Sequence, residues 1–280
     1  MRVWSIVMLL SLAVEASSPS QGRITSFNLE AQGGIVTAAT FDGSGPYRVL
    51  LDTGANHSSI SDRLARALGA PVIARGEVSS QAGVREYPIV RVDRMSVGPI
   101  TVGATPSVVP AGDLAGAGAI DGVLGQDVLA NLRYTIDYRR RHVVWEDSDS
   151  IPTPSPSESA LPLTFVSGLP MVELRHGSSF LQLVADSGAG GLLLFQSAGR
   201  TLPAMKPGGG LVRIDSFQGS RMARRMVIDE LRIGPSLFQD LPVVVIESSN
   251  SPASAGDGLL PLHIFGRVTF DGPGRRLILG

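Results

Sequence analysis

Cysteine is absent from this 280-residue chain, which removes disulfides, thiolate metal sites and thiol nucleophiles at once. Aromatic residues make up only 5%, so a core must rest on Val, Leu and Ile. Neither sign of charge dominates: the formal net charge is −1 with 18% charged residues, a balance that offers no field for nucleic acid or anionic lipid. Beyond the N-terminus no apolar run reaches the length of about 20 residues that spans a bilayer. No Gly-x-Ser-x-Gly elbow is present to make a serine hydrolase. His57, His142, His176 and His263 fall at no metal-ligand spacing, so they read as surface or turn residues and no metal site is expected.

What is present describes a globular protein of two ordinary domains, with 43% hydrophobic residues over a length that lets each bury its own core. The N-terminus has the pattern of an export signal over residues 1–16: Arg2, then the largely apolar stretch Val3 to Val14, then Val14-Glu15-Ala16 as a cleavage site. The mature chain is therefore expected to be secreted or periplasmic, with no integral membrane segment.

The main organisational fact is a repeat. Val49-Leu50-Leu51-Asp52-Thr53-Gly54-Ala55 returns as Leu183-Val184-Ala185-Asp186-Ser187-Gly188-Ala189, with the aspartates 134 positions apart. Val92-Asp93-Arg94-Met95-Ser96-Val97-Gly98-Pro99 matches Ile228-Asp229-Glu230-Leu231-Arg232-Ile233-Gly234-Pro235 at 136, as Ala119 to Leu124 matches Ala255 to Leu260. Ile136-Asp137 matches Phe270-Asp271 at 134 again. Collinear matches of this number predict duplication and two similar lobes, over residues 25–146 and 161–280. Residues 147–160, rich in Ser, Pro and acids, read as the interlobe linker. Short apolar runs such as Tyr47–Leu51, Leu181–Ala185, Leu241–Ile246 and His142–Trp145, bounded by Gly, Pro and Asp, predict a mainly β fold. Two short helices are predicted, Ser61–Leu68 and Gln126–Leu132.

An Asp-Thr/Ser-Gly triplet behind a buried strand delivers a carboxylate to a sheet end, and Gly lets the backbone turn and approach closely. If the two copies face each other, Asp52 and Asp186 meet at hydrogen-bonding distance, with Thr53 and Ser187 bracing the loops and Gly54 and Gly188 shaping them. Two carboxyls that close do not both ionise easily. The charged one takes a proton from a bound water and the neutral one polarises the substrate carbonyl, which is general acid–base hydrolysis of an amide. Asp121, Asp257, Asp137 and Asp271 also repeat, but in positions that suit turns and caps.

On these residues the chain resembles the retropepsin-like and pepsin-like aspartic peptidases, and most of all the bacterial retropepsin-like group. Asp52-Thr53-Gly54-Ala55-Asn56-His57-Ser58-Ser59-Ile60 fits the group's first motif, Val123-Leu124-Gly125 its threading segment, and Tyr134-Thr135-Ile136-Asp137-Tyr138 its closing strand. The resemblance implies an all-β fold of two acid-protease-like barrel lobes about a pseudo-twofold axis. It further implies an aspartic endopeptidase that acts on peptide or protein substrates with no cofactor, and a single chain needs no second copy. It also implies β-hairpin flaps over the substrate. The candidates are Val78–Tyr87, with Gln81 and Gly83 at its tip, and Val212–Val227, with Phe217 and Gly219. Ordinary surface hairpins are the other reading of both. The second copy departs from the motif: Gly190-Gly191-Leu192 replaces Asn56-His57-Ser58, and Pro261 stands where Gly125 does. Because Pro has no N–H to donate, a catalytically weak or inactive relative that binds peptide or protein in the cleft is the alternative.

Overall fold

The computed structural model describes residues 23–30, 33–80, 83–104, 106–109, 120–146, 154–156, 158–176, 179–196, 204–216, 219–234, 236–247 and 256–280. Three sheets organise them: one of ten strands in the first lobe, one of eight in the second, and one of six shared by both. Each lobe follows the same plan. In the first, Ile35–Phe41 and Ser44–Leu51 form an antiparallel hairpin whose second strand ends beside Asp52. Gly122–Leu124 then threads in, parallel to Ser44–Leu51 on one side and antiparallel to Ser59–Ser61 on the other. In the second lobe Leu169–His176 and Ser179–Asp186 make the hairpin, and Gly258–Pro261 threads between Ser179–Asp186 and Leu192–Gln196. Strands covered on both faces read in sequence as unbroken apolar runs. Val49, Leu51, Leu124, Leu183, Val184 and Leu260 are accordingly buried.

The repeated aspartates at the start of each threading strand lock it in the same way to the hairpin that ends in the Asp-Thr/Ser-Gly loop. Asp121 Oδ2 accepts the Arg48 N–H at 3.0 Å, and its own N–H donates to the Arg48 carbonyl at 2.8 Å. Asp257 repeats both bonds with Gln182, at 2.8 and 2.7 Å. Asp137 and Asp271 each close a tight turn by accepting the N–H three residues on, from Arg140 at 2.8 Å and Gly274 at 2.9 Å.

The helix Asp62–Leu68 starts on Ser61, whose Oγ accepts the Leu64 N–H, and stops at Gly69 in the left-handed region with φ 61°. The second helix, Gln126–Leu129, ends sooner than the predicted Gln126–Leu132, because Arg133 already enters a strand of the shared sheet. In the second lobe the corresponding segment is only a 3₁₀ turn, Leu262–Ile264.

The shared sheet runs Ile24–Ser26, His142–Trp145, Arg133–Asp137, Arg267–Asp271, Arg276–Leu279, Ser159–Pro162, three strands from each lobe. Thr135 faces Thr269 at its centre, and Arg133↔Asp271 and Asp137↔Arg267 flank them, so the register is its own image under the 134-residue repeat. The two threonine hydroxyls are 2.7 Å apart on the pseudo-twofold axis. Ser159 and Ala160, read from composition as the end of the linker, are the start of the outermost strand and pair with Leu279 and Ile278. Polar composition does not prevent pairing where a free sheet edge lies alongside. One continuous hydrophobic core passes from lobe to lobe through this sheet, where Tyr134 stacks on Phe270 with centroids 5.1 Å apart and Trp145 packs at 5.7 Å.

Asp271 ties the lobes together. It is fully buried, and it accepts Arg133 Nε at 2.7 Å and Arg276 Nη2 at 2.6 Å. Burial alone would raise its pKa, but the hydrogen bonds from Arg133, Arg276 and Gly274 together hold it below the usual carboxylate value. Removing one member of such a pair strands the other charge. Asp271→Ala is expected to cost about 3–5 kcal/mol in urea unfolding. Because the folded-state pKa is depressed, the carboxylate's contribution is present above the unfolded pKa and fades as pH falls through the folded one. The deficit of the variant should therefore shrink in strong acid, and a deficit independent of pH would contradict this account.

Candidate active site

The two hairpin strands deliver Asp52 and Asp186 to facing loops at the lobe interface. The loops are stitched together by a reciprocal set of four hydrogen bonds. Thr53 N–H donates to Ser187 Oγ at 3.0 Å and Ser187 N–H donates to Thr53 Oγ1 at 2.9 Å. Each hydroxyl then donates onward across the interface, Thr53 Oγ1 to the Ala185 carbonyl at 2.7 Å and Ser187 Oγ to the Leu51 carbonyl at 2.8 Å. Both hydroxyl residues are buried, so every one of these groups needs its partner. Thr53→Val is expected to cost about 3 kcal/mol, because it leaves the Ser187 N–H and the Ala185 carbonyl unsatisfied. Ser187→Ala should cost a similar amount, and the double variant less than the sum, since both belong to one network. Additive losses in denaturant titrations would argue against the reciprocal arrangement.

This stitching brings the two carboxyl groups within hydrogen-bonding reach of each other. Asp52 Oδ1 accepts the Gly54 N–H at 2.8 Å, and Asp186 Oδ1 accepts both Gly188 N–H at 2.7 Å and Ala189 N–H at 3.0 Å. Asp52 keeps partial solvent contact, whereas Asp186 is only 6% exposed. Burial raises the pKa of both. For Asp186 the charge of Asp52 adds to the desolvation. With the two carboxyls this close, one of the pair ionises first and the other keeps its proton. The macroscopic titrations belong to the pair. The phenol of Tyr138 lies buried close enough to Asp186 that burial, and then the carboxylate charge, push its pKa up; it stays neutral.

Gly54 and Gly188 sit between the carboxyls and the opposite loop. A Cβ on Gly54 would fall 2.5 Å from Asp186 Oδ2, and one on Gly188 would fall 2.9 Å from Asp52 Oδ1. The loops approach this closely because neither has a side chain there.

Outside this symmetric centre the lobes differ. The first loop is braced from the threading segment. Ser58 donates its hydroxyl to Asp127 Oδ1 at 2.7 Å and its N–H to the same oxygen at 3.0 Å, while Ser58 Oγ accepts the Gly125 N–H at 3.0 Å. Gln126 adds its backbone N–H to the Ala55 carbonyl at 2.8 Å and its side-chain amide to the Thr53 carbonyl at 3.0 Å. A Cβ on Gly125 would meet the His57 backbone at 2.7 Å, so the crossing excludes any side chain. In the second lobe Leu192, Pro261, Leu262 and His263 occupy the places of Ser58, Gly125, Gln126 and Asp127. The bracing role of Gln126 and Asp127 is not visible from their helical pattern alone; their position directly after Val123-Leu124-Gly125 is the available signal.

Both candidate flaps are hairpins. Val72–Ser80 pairs with Gly83–Val90, with Ser80 opposite Gly83, and Lys206–Ser216 pairs with Gly219–Ile233, with Ser216 opposite Gly219. Gly83 and Gly219 therefore begin the returning strands, while Gln81 and Phe217 lie outside the described residues. Of the histidines, His57 is exposed with Nδ1 3.7 Å from Asp127, and His142 is in the shared sheet. His263 is a turn residue, as expected, in the 3₁₀ turn Leu262–Ile264; it is half-buried beside the Asp-Ser-Gly loop of the second lobe, and burial pushes its pKa down. Among the described residues no group of three His, Asp or Glu is placed to hold a metal ion, and no helix is long and apolar enough to cross a membrane.

Two β lobes of one plan, each presenting one Asp-Thr/Ser-Gly loop to a common interface over a shared sheet, define a two-lobed acid-protease-like fold. Residues 37–128 and 172–280 match the family model described as aspartyl protease, and the chain belongs to that family. Among curated proteins no match is found.

Proposed function

We propose that the chain is an exported aspartic endopeptidase of the bacterial retropepsin-like kind, in which Asp52 and Asp186 activate one water for attack on a peptide carbonyl. The observation that carries this reading is the pair of carboxyls held within hydrogen-bonding reach by the Thr53–Ser187 network. Asp52, ionised, takes a proton from the water as it attacks. Asp186, protonated, donates to the carbonyl oxygen to give a tetrahedral diol; as the C–N bond breaks, the proton gained by Asp52 passes to the leaving amine and a diol hydroxyl returns a proton to Asp186. No covalent intermediate and no cofactor is needed. Thr53, Gly54, Ser187 and Gly188 keep the two carboxyls level, and the hairpins around Gly83 and Gly219, with Gln81 and Phe217, close over the peptide. Both carboxyls come from one chain, which supports a monomer as the working unit. Export rests on residues 1–16, which lie outside the described residues.

The second reading, a cleft that binds peptide without cutting it, is favoured by one observation: the second loop lacks the Ser58, Gly125 and Gln126 bracing of the first. Hydrolysis of a mixed peptide library from acid to neutral pH separates the two. Cleavage by the wild type that disappears in Asp52→Asn and in Asp186→Asn supports the peptidase, whereas binding without cleavage in all three supports the binder.

A further inference from the structure

The second catalytic loop has lost the braces of the first, yet it holds Asp186 by two N–H donors. One side chain of the threading region still reaches it. His263, at the position corresponding to Asp127, hydrogen-bonds the backbone of Ala189. That bond favours the protonated ring, which marks the ring as donor and the Ala189 carbonyl as acceptor. Its Nδ1 is buried with no partner among the described residues, leaving Nε2 as the bonding nitrogen. Ala189 is also the residue whose N–H reaches Asp186 Oδ1 at 3.0 Å, so His263 is one residue removed from the reacting carboxyl.

The other face of the ring is closed by the first lobe. Gly33, in the left-handed region with φ 85°, lies so close that a Cβ there would fall 2.5 Å from His263 Nδ1. The corresponding turn of the second lobe, Ser167-Gly168, reaches the first catalytic loop, where Asn56 Nδ2 donates to the Ser167 carbonyl at 3.4 Å. Each lobe thus sends its first turn against the other's catalytic loop, and in one direction the contact passes through the imidazole.

We infer that His263 is a positioning residue that holds the second catalytic loop, replacing for Asp186 the Ser58–Asp127 brace of Asp52, and that Gly33 of the first lobe clamps it in place. The inference rests on the proposed role of the dyad, but its test does not depend on catalysis alone. Amide hydrogen exchange is measured by mass spectrometry over peptides covering residues 186–191 and 52–57, in the full chain and in His263→Ala and His263→Gln. In His263→Ala, exchange over 186–191 is expected to speed up about tenfold, with 52–57 unchanged. On a cleaved peptide, kcat is expected to fall about tenfold with little change in KM, because a displaced carboxyl impairs the transition state more than peptide binding. His263→Gln keeps a donor at the reach of Nε2 and should recover most of both. Unchanged exchange over 186–191 would overturn the inference, as would equal acceleration of both loops or a Gln variant no better than Ala. If the wild type cleaves no peptide, the peptidase reading fails, while the exchange comparison still decides the role of His263.

Discussion

Asp52→Asn and Asp186→Asn are each expected to lower kcat by about a thousandfold or more, with KM changed far less. Each removes one of two groups that must move a proton in the same step, and general acid–base catalysis by a single side chain is worth about 10²–10⁴ in rate. The double variant should be little worse than either single one, since the pair works as a unit. In the wild type, activity should rise with pH as Asp52 ionises, above the ordinary value of 3.8 because burial raises it. It should fall again as Asp186 loses the proton that burial and the charge of Asp52 retain, well above the same 3.8. The stability consequence has the opposite sense to the kinetic one. A carboxyl whose folded pKa is raised binds a proton that the unfolded chain has shed, so stability declines as pH rises from the unfolded to the folded pKa. Asp186→Asn removes that penalty and should melt no lower than the wild type at neutral pH. A variant retaining more than about a tenth of wild-type kcat would end the two-carboxyl mechanism.

Gly54→Ala is expected to be nearly as damaging to catalysis while preserving every titrating group. Gly54 is not in the left-handed region, so the backbone itself tolerates a side chain, and the effect is purely one of space. The added Cβ would stand 2.5 Å from Asp186 Oδ2 and 2.7 Å from Oδ1, distances that no real methyl group occupies. Either the Asp186 carboxyl rotates away from Asp52 or the loops separate and strain the Thr53–Ser187 bonds. Misplacement of a reacting group by about 1 Å can cost about a hundredfold in rate, and overpacking at a tight site costs about 1–3 kcal/mol. The expected result is a hundredfold loss of kcat with a modest fall in melting temperature. Gly188→Ala, whose Cβ would lie 2.9 Å from Asp52 Oδ1, should lose less. Wild-type kcat in Gly54→Ala would mean that the carboxyls need not be held as close as they are.

Much of the architecture is written in local patterns. Ser61 and Gly69 mark both ends of one helix because capping is a property of neighbouring residues. The threading strand is placed by the resemblance of Val123-Leu124-Gly125 to the aspartic peptidase motif, and the strand Gly122–Leu124 lies there. Local pattern carries the helix after it on to Leu132, because nothing in Ala130 to Leu132 opposes helix; what ends it at Leu129 is the pull of Arg133 into a sheet built with the other lobe. The partners of the turn residue His263 are hidden for a related reason. A lone histidine has no periodicity, and its burial comes from Gly33 and Ala189, 230 and 74 positions away.

By itself the sequence determined that the protein is duplicated, that each half is mainly β, and that an aspartate follows a buried strand in each. Duplication and strand burial are repeated or local, and a chain displays them without folding. Only the tertiary structure decided that Thr53 and Ser187 exchange hydrogen bonds across the interface, that Asp186 rather than Asp52 is the more deeply buried carboxyl, and that Arg133 neutralises Asp271 between lobes. Those outcomes depend on pairs of groups more than 130 positions apart and on how much water their packing excludes. Folding alone sets both.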